Sequence, residues 1–405
     1  MKLRLIVLTL VLAAGVLWLA GGGGLQPVLA AAAPSTAGGC TFPTSNAGTP
    51  EQTAWQLFVA ANCSAGAGQL VWETWIEQNA FYPTGAGLKG ARGKRLHGSP
   101  LAQATRLRKA GLTAELNPSD ECNKMSSPPS NVVPGATVCE EARINPSARA
   151  FMSTVSRGYQ TRAGQVKAAK AGTNIQFPTP AIEVKVDWIP GTDFNPPFTC
   201  NKPPQGVHVE SIEGVCYAMA GMHIESKLQT NWIWATFEPQ NLQTNPNRCI
   251  TFGPCNDAWG SIPATSNGGA GGVTKLTPAL QALMTSAHLA PEFFNYRMDG
   301  VQTTFVTASG SPTLLGNSII EGENVGMTAG TASCITCHSV SSIKTDGTDG
   351  ITVLGAMPTP PVGPQYVVPK GWIARDFVWS MMLACPNSPT GRCTAAPAKK
   401  DKPKG

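Results

Sequence analysis

The residues with the most specific chemistry stand together near the C-terminal end of the chain. Cys334, Cys337 and His338 form a Cys-x-x-Cys-His string, C-I-T-C-H. Two thiols at this spacing can add to the two vinyl groups of one haem, and the adjacent imidazole can bind its iron. A cysteine pair without the histidine would indicate zinc or a redox disulfide, and the alternative here is a surface disulfide that precedes a histidine by chance. The motif predicts one covalent haem c with His338 as the proximal iron ligand.

The sixth iron ligand stays open between two residues. Met357 lies in the sequence G-A-M-P, which resembles the Met-Pro ligand motif of small soluble cytochromes c, but it follows His338 at a shorter distance than is usual there. His223 lies in a predicted strand that is otherwise apolar, where a lone histidine is more often a core residue than a ligand. Because the iron of a bound haem needs a second axial ligand, His223 remains a candidate. The remaining alternatives are an open site or one of Met327, His288 and Met381.

Other polar residues have weaker signals. Arg297 and Arg375 are candidates to pair with haem propionates, because a guanidinium can donate two hydrogen bonds to one carboxylate. Glu73 and Glu238 stand between aromatic residues, and we expect them to cap backbone amides rather than to face propionates. Two histidines in Gly- and Pro-rich stretches are expected to be exposed: His97 and His208.

The N-terminus predicts export. Residues 1–4 form a short basic region, residues 5–20 are almost entirely apolar, and glycines at 21–24 precede a small-residue cleavage site. This order is typical of a signal peptide, here over 1–30, whereas an uncleaved membrane anchor needs a longer apolar run. Because haem c is attached outside the bacterial cytoplasm, we expect a periplasmic or secreted protein with no membrane span after cleavage.

Ten of the 12 cysteines lie outside the haem motif, an even number. An oxidising compartment disfavours free thiols. Sequence does not fix disulfide connectivity, but short loops close most readily, so we expect neighbours along the chain to pair. The predicted pairs are Cys40–Cys63, Cys122–Cys139, Cys200–Cys216, Cys249–Cys255 and Cys385–Cys393.

Composition indicates a chain that is rich in loops and cross-linked by disulfides. Charged residues make up 13% of the sequence, about half the usual share, while Gly (43) and Pro (34) are abundant. The formal charge of +6 falls to +4 when Lys2 and Arg4 leave with the signal peptide, and residues 399–405 hold +3 of that remainder. The body is therefore nearly neutral, and it has no basic patch that would indicate nucleic-acid binding.

Three helix starts and three strands can be predicted. Thr-Pro pairs at 49–50 and 277–278 and Asn-Pro at 145–146 are typical N-terminal helix signals. Residues 182–188 alternate apolar and polar side chains with the period of a strand. Residues 215–226 and 232–238 are further strands, and we expect antiparallel pairing. Residues 371–384 are predicted to form a last helix. Trp232 and Trp234 could line the haem pocket or relay electrons, but we expect them to fill the core.

These elements favour an α+β fold with a small antiparallel sheet, flanking helices and a haem segment docked on the body. We expect a signal peptide (1–30), a linker (31–48), the body (49–310), a haem c segment (311–390) and a basic tail (391–405).

An ordered set of short sequences gives a resemblance to a known group. The set is W-Q-L-F-V-A-A-N (55–62), V-W-E-T-W (71–75), F-P-T-P-A-I-E-V-K-V-D-W (177–188), G-M-H-I (221–224), W-I-W-A-T-F-E (232–238), L-G-N-S-I-I-E (315–321), the haem motif and R-D-F-V-W-S (375–380). It resembles bacterial exported monohaem proteins labelled "cytochrome c family protein". The resemblance implies an exported haem protein with a non-cytochrome N-terminal body. At 317–321 the chain reads N-S-I-I-E where the group has N-T-T-M-E, so a methionine there is not a general iron ligand.

Two function classes follow. The first is an exported c-type cytochrome that passes single electrons to a redox partner protein. The second is a haem c enzyme of peroxidase or oxygenase type with an open distal site for a small substrate. A body of this length exceeds what a simple carrier needs, which favours the enzyme, but no Arg/His pair at peroxidase spacing and no second haem motif appears. The sequence favours electron transfer and leaves enzymatic activity undecided.

Overall fold

The centre of the computed structural model is an antiparallel sheet of eight strands. The structure describes residues 39–66, 68–82, 122–125, 128, 131–154, 158–212, 214–240, 255–265, 273–321, 331–350 and 362–384. All of them belong to one compact unit. The predicted signal peptide and basic tail lie outside the described residues, and the described part of the predicted linker, 39–48, contains no helix or strand.

The strands, in chain order, are β1 (Ser64–Gly66), β2 (Gln69–Leu70), β3 (Ile76–Glu77), β4 (Cys122–Lys124), β5 (Thr137–Ile144), β6 (Ile182–Pro190), β7 (Val209–Ile212), β8 (Val215–Ser226), β9 (Ile233–Pro239), β10 (Ser261–Ile262), β11 (Lys275–Leu276), β12 (Tyr296–Gln302), β13 (Ser342–Lys344) and β14 (Trp372–Ala374). The main sheet has the order β12–β9–β8–β6–β5–β3, with β4 beside β5 and β7 beside β8. Three further pairs, β1–β2, β10–β11 and β13–β14, are antiparallel ladders of two strands.

The α-helices are α1 (Pro50–Asn62), α2 (Gln78–Phe81), α3 (Pro146–Ser153), α4 (Arg162–Lys170), α5 (Pro278–Ser286) and α6 (Cys334–His338). Short 3₁₀ helices cover Trp72–Thr74, Gly191–Asp193, Pro291–Asn295 and Trp379–Leu383. The predicted α+β class is confirmed, with a sheet larger than the three strands that the sequence indicated.

The three predicted helix starts are confirmed, each with its cap. The side chain of Thr49 accepts a hydrogen bond from the amide of Gln52, and Pro50 follows as the first residue of α1. Asn145 caps α3 and Thr277 caps α5 in the same way. These caps satisfy amides that a helix start leaves without a partner.

One face of the main sheet is apolar and packs against α1. Trp55 and Phe58 of this helix are fully buried, and their rings lie 5.0 and 4.4 Å from the ring of Phe237 in β9. Val186 and Met222, from β6 and β8, belong to the same core. The inward residues of this face therefore supply hydrophobic stabilisation.

The second face of the sheet has charged residues and lies beneath the C-terminal segment. Lys185 of β6 stands opposite His223 of β8, and Glu183 stands opposite Glu225. Both glutamates are buried. The covering segment includes α6 and the β13–β14 ladder, whose Ile343 and Ile373 pack with Trp234 in a second core.

The predicted helix over 371–384 is wrong. Residues 372–374 form β14, and only Trp379–Leu383 are helical, as a 3₁₀ turn. Between them Asp376 and Phe377 have φ of 53° and 72°, a left-handed conformation that an α-helix cannot contain. Tertiary contacts impose it: Asp376 accepts a hydrogen bond from the amide of Phe177 at 2.7 Å and pairs with Lys227 at 2.6 Å.

Two predicted disulfides are present, Cys40–Cys63 and Cys200–Cys216. Cys139 is also disulfide-bonded and stands opposite Cys122, its predicted partner, in the β4–β5 ladder. Cys255 is disulfide-bonded as well. The remaining members of the predicted pairs lie outside the described residues: Cys249, Cys385 and Cys393.

None of the helices in the described ranges combines the length and the apolar character that crossing a membrane requires.

Candidate functional site

The Cys-x-x-Cys-His string forms α6, a single short helix. The amide of Ile335 donates a hydrogen bond to Oε1 of Gln302 at 3.0 Å, which fixes the start of the helix to the end of β12. Ile335 is fully buried and holds the helix in the second core. Cys334 and Cys337 are partly exposed and are not in a disulfide, unlike the cysteines of the body. Both thiols are thus available on one helix.

His338 is oriented by a backbone carbonyl. Its Nδ1 lies 3.0 Å from the carbonyl oxygen of Phe377. A carbonyl oxygen only accepts, so the proton of a neutral ring is on Nδ1 and the lone pair is on Nε2. A histidine that binds a metal usually has its other nitrogen held in this way. The rings of Trp234 and Trp379 flank the imidazole at 4.6 and 5.6 Å.

His338 and His223 are brought to the same part of the sheet's second face. Nδ1 of His338 is 3.8 Å from a carboxylate oxygen of Glu225, which stands opposite Trp234 in the β8–β9 ladder. His223 precedes Glu225 by two residues on the same face of β8, a distance of about 7 Å along the strand. Two histidines far apart in sequence therefore lie over the same face of the sheet, His338 beside Glu225 and His223 two residues before Glu225.

Burial governs the electrostatics of the motif. It lowers the pKa of His338 to about 3, and the charges of Lys185 and His223 act in the same direction. Burial also raises the pKa of Cys337 to about 12, with a further contribution from the carboxylate of Glu321. The neutral imidazole is the form that binds a metal.

A loop from β12 towards α6 closes over His223. Oε1 of Glu321 lies 3.5 Å from Nε2 of His223, a separation that is long for a hydrogen bond. Asn317 of this loop donates a hydrogen bond to Oγ1 of Thr236 at 2.8 Å. It lies directly over Gly221, where a Cβ atom would come within 2.8 Å of Oδ1 of Asn317. The glycine of the G-M-H-I sequence thus gives the loop room to approach.

Buried acids surround the two histidines. Burial raises the pKa of Glu183 to about 7 and raises the pKa of Glu225 well above its usual range. Lys185 forms an ion pair with Glu140 at 2.5 Å. Burial lowers the pKa of Lys185, but Glu140, Asp187 and Glu321 together raise it by more. Charges are expensive to bury, and ion pairs of this kind offset part of the cost on this face.

The two predicted propionate partners differ in their surroundings. Arg297 donates to Thr274 and to the backbone carbonyls of Phe294 and Tyr296, so its guanidinium holds loops in place. Arg375 is fully buried and forms an ion pair with Asp349, which also pairs with Arg162.

The expected capping role of the two glutamates agrees with their contacts. Glu73 accepts from the amide of Leu70 at 2.7 Å, and Glu238 accepts from the amide and hydroxyl of Ser318 at 2.5 and 2.6 Å. The second contact anchors the loop that covers His223.

The other candidate iron ligands differ in where they lie and in how far they are buried. Met357 and Met327 lie outside the described residues. His288 is exposed at the end of α5, where the chain turns with φ of 50°. Met381 is fully buried in the second core.

The tryptophans Trp232 and Trp234 do belong to the second core, as expected. Trp234 has a further role at the site, because its ring contacts His338. The contact agrees with the alternative prediction that Trp234 lies beside the haem motif.

The expected exposure of His208 is wrong. Its side chain is 12% exposed and lies between the carboxylates of Glu210 and Glu292. Its ring stacks on Phe293 with the centroids 5.0 Å apart. The Gly- and Pro-rich sequence around His208 gave no indication of the contacts with Glu292 and Phe293, which lie far away in the chain. His97 lies outside the described residues.

No protein-family model matches the chain, and no curated protein or solved structure matches it either.

Proposed function

We propose that this chain is an exported c-type cytochrome that transfers single electrons through one haem, attached at Cys334 and Cys337. The observation that best supports the proposal is the state of His338. Its Nδ1 is held by the carbonyl of Phe377 at 3.0 Å, and its Nε2 is left to bind iron beside two free thiols on the same helix. This donor set, two thiols two residues apart followed by a histidine, fits the attachment of haem c.

In this proposal each residue of α6 has a defined task. The two thiols form thioether bonds, and the imidazole of His338 supplies a neutral nitrogen ligand. The hydrogen bond from Ile335 to Gln302 keeps the helix in place while these bonds form. Haem would supply one-electron redox chemistry when bound.

We propose His223 as the sixth ligand; Met357, the other main candidate, lies outside the described residues. It faces the same side of the sheet as the residues that contact His338, and its Nε2 is buried. Oε1 of Glu321 lies 3.5 Å from Nε2 of His223. Glu321 could therefore orient the ring, or accept a hydrogen bond from Nδ1 if the ring rotates so that Nε2 faces the iron. Two imidazole ligands would give a closed, six-coordinate site, which suits a carrier rather than an oxygen-binding enzyme.

The compartment is part of the proposal. The signal sequence and the haem motif both require export, and the disulfides of the described body agree with an oxidising environment. We therefore infer a periplasmic or secreted protein whose partner is another redox protein.

The alternative is a haem c enzyme. The observation that favours it is the contact of His223 with Glu321. If these two residues stay paired and do not bind iron, they form an acid–base pair beside an open distal position. Such a pair could move a proton on a small substrate such as peroxide.

The first test concerns attachment. Cys334→Ala and Cys337→Ala should each lose one thioether bond, and the double variant should lose covalent haem entirely. Haem staining of denatured protein and intact mass measure the result. Ile335→Val, which keeps both thiols and the histidine, is the matched control and should retain full attachment. Unchanged covalent haem in the double variant would disprove the site.

The second test separates the two function classes. Absorption spectra of the exported protein are recorded oxidised and reduced, with and without carbon monoxide. A low-spin spectrum that carbon monoxide does not alter supports the carrier, and its conversion to a carbon-monoxide-binding form in His223→Ala, but not in His288→Ala, assigns the ligand. A Met–iron charge-transfer band would assign Met357 instead. A high-spin wild-type spectrum would support the enzyme.

A further inference from the structure

A second cluster of ligand-type side chains lies on the apolar side of the main sheet. His208 and Glu210, at the start of β7, face Glu73 of the 3₁₀ helix Trp72–Thr74. One ligand atom from each of the three residues lies within 4.8 Å of the others. The closest described pair is Nε2 of His208 and Oε1 of Glu210, 3.4 Å apart. In a tetrahedral zinc site with bonds of about 2.0–2.1 Å, ligand atoms are about 3.3 Å apart.

The imidazole of His208 is held in one orientation from its other side. Nδ1 lies 3.2 Å from Oε1 of Glu292, and the ring stacks on Phe293 with an interplanar angle of 24°. Trp188 packs nearby, with its ring centroid 6.3 Å from the imidazole. A carboxylate on one ring nitrogen and a metal on the other is the usual arrangement of metal-binding histidines. The ring is therefore fixed with Nε2 directed at the two acids.

The cluster holds protons that a metal ion would displace. Glu73 is 3% exposed, and burial together with the neighbouring Glu210 raises the pKa of Glu73 to about 10. The nearby carboxylate of Glu141 is already paired with Arg143 at 2.5 Å, so this arginine is engaged elsewhere. Glu210 and Glu292 also raise the pKa of His208 against the effect of burial. A divalent ion would therefore take the place of the proton between Glu73 and Glu210 and of any proton on Nε2 of His208.

We propose that Glu73, His208 and Glu210 bind a divalent transition-metal ion of the Zn²⁺ type, with Glu292 holding the histidine. An imidazole ligand and a set of three protein donors suit Zn²⁺ better than Ca²⁺, which takes six to eight oxygen ligands. The ion would join the Trp72–Thr74 turn to β7, and through Glu292 to the Pro291–Asn295 turn. This is a structural cross-link on the side of the sheet away from His223, and it does not depend on the haem proposal.

The test uses the full exported protein, stripped of metal with a chelator and titrated with Zn²⁺ in a calorimeter. We expect one equivalent to bind and the thermal unfolding midpoint to rise. His208→Gln and Glu73→Gln should each weaken binding at least tenfold and remove the shift. His288→Gln, at an exposed histidine outside the cluster, is the matched control and should bind as the wild type does.

Two results would overturn the proposal. One is the absence of stoichiometric Zn²⁺ binding to stripped wild-type protein. The other is equal binding by wild type and both cluster variants, which would mean that the ion sits elsewhere on the chain. Glu73→Gln removes one of two facing acids, so we expect it to fold, and circular dichroism of the metal-free variants checks this. Haem spectra of the same samples report the haem proposal separately.

Discussion

The two faces of the main sheet are built from the same strands and differ in what they bury. The face towards α1 is lined by Val186, Met222 and Phe237, which are completely buried among aromatic rings. The face towards the C-terminal segment buries acids, among them Glu183 and Glu225. Burying apolar area lowers the free energy of the folded state, whereas burying a carboxylate raises it. The comparison shows that the first face is mainly apolar, with acids such as Glu73 and Glu141 buried around its core, whereas on the second face Glu183 and Glu225 are buried opposite each other on neighbouring strands.

The strongest way to test this contrast is to damage the apolar face. Phe237→Ala removes a buried ring that contacts Trp55 and Phe58. We expect a loss of about 3–5 kcal/mol in the free energy of unfolding, measured by chemical denaturation. The fraction that folds should keep the haem spectrum of the wild type. A loss below about 1 kcal/mol would mean that this face does not dominate stability.

The second test removes a carboxylate from the other face. It should raise the free energy of unfolding at high pH, whereas Phe237→Ala lowers it. Burial raises the pKa of Glu183 to about 7. Between about pH 4.5 and 7 the folded protein retains a proton that the unfolded chain releases, so stability decreases as pH rises through this range. Glu183→Gln removes that decrease, which amounts to up to about 3 kcal/mol.

Thermal unfolding from pH 5 to pH 8 measures this effect. The variant should be the more stable protein at pH 8 and should show a flatter profile. A variant that follows the wild-type profile at every pH would show that Glu183 does not hold the proton.

A smaller effect concerns the fit of the loop to the charged face. Gly221→Ala places a Cβ atom within 2.8 Å of Asn317 and forces the loop away from His223. We expect a cost of about 1–3 kcal/mol and a change in the haem spectrum. Gly300→Ala is the control, because its nearest neighbour is the flexible end of Leu315 at 3.1 Å. Equal spectra for both variants would contradict a role of the loop at the site.

The smallest expected effect lies at the start of α1. Thr49→Ala removes the side-chain oxygen that accepts from the amide of Gln52. The free energy of unfolding should fall by about 1 kcal/mol, with no change in the haem spectrum. A spectral change here would show that the two faces are coupled more closely than their separate cores indicate.

Local signals were sufficient for the elements with strong caps and clear periodicity. Strand 215–226 was predicted with its observed bounds, and α1 and α5 begin where their Thr-Pro pairs indicated. The same reasoning failed at 371–384, because an apolar spacing typical of a helix was overridden by contacts of Asp376 with Lys227 and Phe177. The other strands of the main sheet were not predicted from the sequence: β3, β4, β5, β7 and β12.

At the candidate site too, some features could be predicted from neighbouring residues and others required the tertiary structure. Cys334, Cys337 and His338 are adjacent in the chain, so their chemistry was readable from spacing alone. The orientation of His338 by Phe377, the contact with Trp234 and the position of Glu321 beside His223 involve residues far apart in sequence.

By itself the sequence determined the α+β class, the caps of the main helices and a motif whose residues act as neighbours. Only the tertiary structure decided that His223 lies on the same face of the sheet as Glu225, which is near His338, and that His208 is enclosed by carboxylates from three segments. The physical reason is that caps and attachment motifs depend on bonds between residues a few positions apart. Burial, ring contacts and ion pairs depend on how the strands are ordered in the sheet, which no local pattern encodes.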